Sequence, residues 1–101
     1  MARFEGDTKL LQQACDLFRQ SYPKLISQLR AAVRSGDAAT VERTAHTLKG
    51  SLGNFGGTRP AEAALRLEKM GHLGDLRHAL TTIDELEDEI ERLIPALTAL
   101  V

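Results

Sequence analysis

The chain holds a single cysteine, Cys15. No disulfide can form within it, and nothing argues for an oxidising compartment. Tryptophan is missing and aromatic residues make up only 4%, which counts against a sheet built on aromatic and β-branched side chains. Charge of one sign is not in excess: thirteen basic residues face fourteen acidic ones, for a net −1. That balance excludes a chain-wide surface for nucleic acid or anionic membrane. No apolar run approaches the ~18 residues of a membrane span, and the opening "MARFEGD" lacks the apolar stretch of a signal peptide. No segment alternates with period two over a strand's length, and none repeats or is of low complexity. The expectation is one cytoplasmic helical domain over residues 1–101, with no nucleic-acid or membrane partner.

What the chain does have is Leu, Ala and Glu in helical spacing. Five segments follow. The first opens at Asp7, an N-cap, and aligns Leu10, Leu11, Ala14, Leu17 and Phe18, with Cys15 as a small core residue. The second begins near Ser21-Tyr22-Pro23 and runs through Leu25, Ile26, Leu29, Ala32 and Val33 to Ser35-Gly36. Asp37 caps a third carrying Val41, Ala45, Leu48, Leu52 and Phe55. "GGTRP" (56–60) breaks it, and Thr58 or Arg59 with Pro60 restarts a fourth through Ala64, Leu65 and Leu67 to Met70. "GHLGD" (71–75) reads as a turn ending in a further N-cap, Asp75. The last helix holds Leu76, Leu80, Ile83, Leu86, Ile90, Leu93 and Leu97, with Pro95 kinking or ending it. Its acidic run "DELEDEIE" is the wet face. Short turns make antiparallel neighbours, so the fold class is all-α: an antiparallel up-and-down four-helix bundle with an additional N-terminal capping helix.

One stretch resists this plain reading. "AHTLKGSLGNFGG" (45–57) holds four of the eight glycines, although a mid-helix Gly costs about 1 kcal/mol relative to Ala. At ~100° per residue, Val41, Ala45, Leu48, Leu52 and Phe55 share one stripe, and His46 falls roughly 140° away from Val41. Lys49, Gly50 and Gly53 lie around it on the wheel. A helical side chain leans toward the N-terminus, so position 50 is the one best placed to cover His46, and it is bare. The spacing predicts an exposed imidazole in a clearing, with the Lys49 ammonium one turn on. A free imidazole titrates near ~6.5 and is mostly neutral at pH 7. It can accept a phosphoryl group on a ring nitrogen, with the lysine countering phosphoryl charge. No companion acid or metal set is evident, so a partner must supply the rest.

This segment resembles the phosphoacceptor segment of histidine-containing phosphotransfer (HPt) domains, roughly His-x-aliphatic-Lys-Gly-Ser/Ala followed by Asn-apolar-Gly. Here it is carried by His46, Leu48, Lys49, Gly50, Ser51, Asn54, Phe55 and Gly56. "FEGD" (Phe4, Gly6, Asp7) with Leu10 and Leu11, "GD" at 36–37 and "LE" at 67–68 are similar to bacterial members as well. Pro60 departs from the pattern, standing where an aliphatic residue is usual. The resemblance implies a module that accepts a phosphoryl group on His46 from a receiver-domain aspartyl-phosphate and passes it to another receiver. By it, Lys49 stabilises the phosphoryl group and Gly50 permits docking. Gly53, Arg43, Ser51 and Glu68 join the docking face, Glu68 at a position where members often place a polar residue near the imidazole. It further implies no cofactor and no metal in this chain, Mg²⁺ being expected in the receiver. Partners are then response-regulator receivers, with a hybrid sensor histidine kinase as a further candidate, and the module is a monomer without kinase activity of its own. Arg43, Lys49 and Arg59 are expected to steer carboxylate-rich receivers inward.

Other readings are weaker. A helical adaptor binding a partner through the same face without chemistry is the alternative. A kinase phosphoacceptor domain is disfavoured by Thr47, where an acidic residue is usual, and by the lack of room for an ATP-binding domain. "GSLGNFGG" has its Lys-Gly-Ser at the wrong end for a P-loop, Ser51 has no nucleophile elbow, and His72 and His78 read as surface residues.

Overall fold

A computed structural model of the chain describes residues 8–99. Phe4, Gly6 and the Asp7 cap lie outside the described residues. Four helices fill the span: α1 Thr8–Ser35, α2 Ala38–Asn54, α3 Thr58–Leu73 and α4 Ala79–Thr98. Each packs against its two neighbours, α1 on α2, α2 on α3, α3 on α4 and α4 on α1, while the diagonal pairs bring no Cα atoms within 8 Å of each other. Cross-helix contacts run in opposite directions, Glu42 to His72 and His46 to Glu68 between α2 and α3, Arg19 to Thr98 and Arg30 to Glu87 between α1 and α4. This is the expected antiparallel bundle.

The segment expected as a separate capping helix is instead the first part of α1, which passes unbroken through Pro23. The apolar spacing explains it. Leu11, Cys15, Phe18, Ile26, Leu29 and Ala32 are buried, with Tyr22 and Leu25 half-buried between them, so one stripe spans the proline. A mid-helix proline costs ~3 kcal/mol, and each buried apolar side chain returns ~1.5–3 kcal/mol. Pro23 and Arg19, whose carbonyl loses its partner, are both on the exposed side, where water can satisfy it. At 1.5 Å per residue, 28 residues reach ~42 Å, which matches the 42 Å long axis of the molecule.

Helix ends follow local chemistry. Asp37 Oδ1 accepts from the Thr40 amide at 3.1 Å, and Oδ2 from the Thr40 hydroxyl at 2.6 Å. The cap forms as expected, and these bonds, the hydroxyl first, lower its carboxyl below the usual range. Gly36, Gly56 and Gly74 have φ near +70°, and each closes a helix with paired bonds to carbonyls of the preceding turn. Pro60 sits buried in the first turn of α3, where no amide hydrogen is needed.

The turn expected at 71–75 lies three residues further on, at 74–78. Helix α3 continues to Leu73 with Gly71 inside it, and α4 starts at Ala79 with His78, not Asp75, at the N-cap. Asp75 instead grips Arg77, accepting from its backbone amide and its guanidinium, which pulls its carboxyl down to about 2. Pro95 likewise leaves α4 helical to Thr98.

Gly71 stays helical because α2 presses on it. A Cβ there would lie 2.5 Å from the Glu42 amide nitrogen and 2.7 Å from the Ala38 carbonyl oxygen. Those are backbone atoms and cannot swing aside. Gly71→Ala is therefore expected to cost about 2 kcal/mol by forcing α2 and α3 apart, lowering Tm by ~10 °C for a domain this size. Thermal unfolding followed by circular dichroism checks it; an unchanged Tm means the helices are not in contact there.

Candidate functional site

Helix α2 buries Val41, Thr44, Ala45, Leu48 and Leu52 against the bundle. The same rotation sends His46 outward, and its side chain is 65% exposed. Its Nδ1 lies 2.9 Å from Oε2 of Glu68 on α3. The other carboxylate oxygen, Oε1, is fully buried, and Lys49 Nζ meets it at 2.7 Å as an ion pair. One carboxylate thus holds both candidate side chains of α2.

The chemistry of that contact fixes the ring. An ionised carboxylate can only accept, so Nδ1 carries the hydrogen and Nε2 keeps its lone pair. Lys49, first, and then His46 hold the Glu68 carboxyl below the usual range, outweighing the burial that pushes it upward. Glu68 therefore stays ionised well below neutral pH, and the Nε2 lone pair faces solvent wherever the imidazole is neutral.

Beyond the ring the surface is bare. A Cβ placed on Gly50 or Gly53 meets nothing within 4 Å, so neither glycine serves packing, unlike Gly71. A depression of ≈ 310 Å³ opens beside Gly53, with Lys49 and Leu65 on its walls. The clearing expected around His46 is present.

Other site candidates lie further off. Arg43 reaches back to Thr40 at 3.3 Å and lines a separate depression with Asp37 and Gln28. Ser51 is half-buried on the α1 side beside Leu17 and Asn54. Arg59 opens onto the α3–α4 groove among Glu62, Glu85 and Asp88. Among the described residues, none of Arg43, Ser51 and Arg59 forms a hydrogen bond or ion pair with His46, Glu68 or Lys49.

Sequence reasoning passed over one arrangement. His72 Nδ1 lies 3.1 Å from Glu42 Oε2, with its side chain 73% exposed. Glu42 and His46 are four apart on α2, as Glu68 and His72 are on α3, so each helix offers one carboxylate and one imidazole to the other. The signal was the repeated Glu-x₃-His, visible only once the two helices are laid antiparallel. Among the described residues, no group of three or more His, Cys, Asp or Glu is arranged to hold a metal ion, and no helix is long and apolar enough to cross a membrane.

Removing the lysine tests the electrostatics. Lys49→Met is expected to raise the Glu68 carboxyl titration, followed by ¹³C NMR, toward the ordinary ~4.3. In the wild type the lowered value means that the contact stabilises the fold above ~4.3 and that this contribution is lost as pH falls through the lower midpoint. In parallel, Glu68→Ala is expected to reduce the Nδ1–H tautomer of His46 in ¹⁵N imidazole spectra above pH 8. An unmoved Glu68 midpoint, or an unchanged tautomer ratio, contradicts the bridging role.

Against known proteins, a family model described as Hpt domain matches residues 13–96. Searches of curated proteins and of solved structures return no match. The matched span takes in α2, α3 and most of α1 and α4, and with them His46, Lys49 and Glu68. This chain belongs to the Hpt domain family of phosphotransfer modules.

Proposed function

We propose that the chain is a phosphorelay intermediary in which His46 takes a phosphoryl group from a receiver-domain aspartyl-phosphate and gives it to a second receiver. One observation carries this reading: an exposed imidazole with Nδ1 tied to Glu68 and bare backbone one turn on at Gly50. In the forward step the Nε2 lone pair attacks phosphorus, the N–P bond forms, and the P–O bond to the aspartyl carboxylate breaks. The ring gains positive charge while Nδ1 keeps its hydrogen. Glu68 sits against that charge as it develops, so the carboxylate stabilises the transition state more than the ground state. Lys49 has a flexible four-carbon stem and turns its ammonium from Glu68 Oε1 to the incoming phosphoryl oxygens. Transfer to the second receiver is the same step reversed.

The remaining groups belong to the partner. Mg²⁺ and the acidic pocket that holds it are assigned to the receiver, as is the aspartate. The docking face has to stay open, so the chain acts as a monomer, in the cytoplasm where receivers meet it. Gly50 and Gly53 keep that face flat, and Arg43 adds positive charge at its edge for a carboxylate-rich partner.

Incubation with phosphorylated receivers is expected to place an acid-labile, base-stable label on His46, and Mg-ATP alone is expected to place none. His46→Gln removes the label; Lys49→Ala slows transfer by about 10²-fold, the usual effect of losing one charge-stabilising donor. A Gln variant that still labels ends the proposal. Receiver binding without any transfer favours the adaptor instead.

The glycines give an independent check. Because open space surrounds them, Gly50→Ala and Gly53→Ala are each expected to raise stability by about 1 kcal/mol. Both are expected to slow transfer from receivers, since the new methyl groups stand where the partner rests. Chemical denaturation and transfer kinetics on the same samples separate the two effects. Greater stability with undiminished transfer contradicts the docking role.

A further inference from the structure

The α2–α3 face carries more than the imidazole. On the His72 side of the Glu68 contact lies a second depression, of ≈ 480 Å³, lined by Glu42, Leu65, Glu68, Lys69, His72 and Leu73. It shares Glu68 with the site and Leu65 with the depression beside Lys49. Its carboxylates are both engaged, Glu42 by His72 and Glu68 by His46 and Lys49. Its other cation is not: Lys69 is exposed and makes no ion pair or hydrogen bond among the described residues. Beside it, Leu73 is 77% exposed, against 40–67% for the other exposed large hydrophobic residues of the described chain. The fold gains little from a leucine there.

Distance makes this surface part of any complex at His46. Leu73 lies five residues beyond Glu68, ~7.5 Å along α3. A protein–protein interface of ordinary size covers ~800 Å² per partner, a patch roughly 16 Å in radius. A receiver centred on Nε2 therefore covers Leu73 as well, and an apolar group on it is then desolvated together with Leu65.

We propose that this depression is the selectivity surface of the relay. The receiver that fits sets an aliphatic side chain between Leu65 and Leu73 and a carboxylate, within one helical turn of it, on Lys69. The inference rests on the phosphorelay reading and adds what distinguishes one receiver from another. Receivers with a basic or bulky polar group at that point leave Lys69 repelled and the leucines wet, and are rejected.

The test uses a panel of isolated receiver domains from the same organism, each phosphorylated with acetyl phosphate, with label transfer to the intact chain followed in time. For the receivers that label wild-type His46 fastest, Leu73→Ser is expected to raise KM by about tenfold with kcat held. Lys69→Glu is expected to raise it similarly and to flatten its dependence on salt. Both residues are exposed, so Tm stays at the wild-type value and folding is not the cause. Unchanged KM in both variants across the panel overturns the proposal. So does loss of His46 labelling by phosphoramidate in the same variants, which places the fault in the chemistry. A wild-type dimer that Leu73→Ser splits, seen by sedimentation, also overturns it, because the occupant is then a second copy. If wild-type His46 takes label from no receiver, the phosphorelay reading itself fails, a result distinct from the others.

Discussion

The site depends on the division of one carboxylate between two side chains of the neighbouring helix. Glu68 gives one oxygen to His46 and the other to Lys49, at 2.9 and 2.7 Å. Each half of that arrangement needs the other. Without the lysine, a mostly buried carboxylate loses its countercharge, and burial alone raises its pKa. Lowering that pKa widens the pH range over which Glu68 is ionised and can only accept from Nδ1. Lys49 thus supports the orientation of the ring through the carboxylate that it shares with His46.

That dependence reaches into the packing of α2 on α3. His46 and Glu68 meet across 22 residues of sequence, so their distance is set by how closely the two helices lie. Gly71 sets the approach by removing a side chain at the crossing. The glycines of this chain divide accordingly. Gly71 is bare toward the inside, so that a helix can come near. Gly50 and Gly53 are bare toward the outside, where a Cβ would meet nothing within 4 Å. Both uses accept the same helix-propensity cost, and only the surroundings of the missing Cβ tell them apart.

Much of this was legible in the sequence, and the division is physical. Information carried within one helix could be read: the stripe from Val41 to Phe55, the Asp37 cap, and the outward turn of His46 with Lys49 and Gly50 follow from period and local bonding. The family resemblance rested on the same residues. Information carried between helices could not. Glu68 could be placed near the imidazole only by resemblance, and its bond to Nδ1 needed the register of α2 on α3. Proline and glycine misled for a related reason. Pro23 and Gly71 are breakers by propensity, yet a continuous apolar stripe overrode the first and close helix packing retained the second. The N-cap of α4 was misplaced because Asp75 had a nearer partner in Arg77 than in any helix amide.

The chain contains its own comparison for the proposed acceptor, His46. His72 matches His46 in exposure and in having Nδ1 on a carboxylate from the facing helix. Two things differ. Glu42 has no lysine on it among the described residues, whereas Glu68 has Lys49. His72 also stands in the last turn of α3, where unsatisfied carbonyls give the helix end a partial negative charge, while His46 stands in mid-helix. A phosphoryl group on His72 gains no cation and meets that negative end; on His46 it meets the ammonium and no helix terminus. Exposure and the Nδ1 contact therefore do not distinguish the two imidazoles. The ammonium one turn from His46, anchored by the same carboxylate that orients the ring, does, and it is what the proposed relay would use.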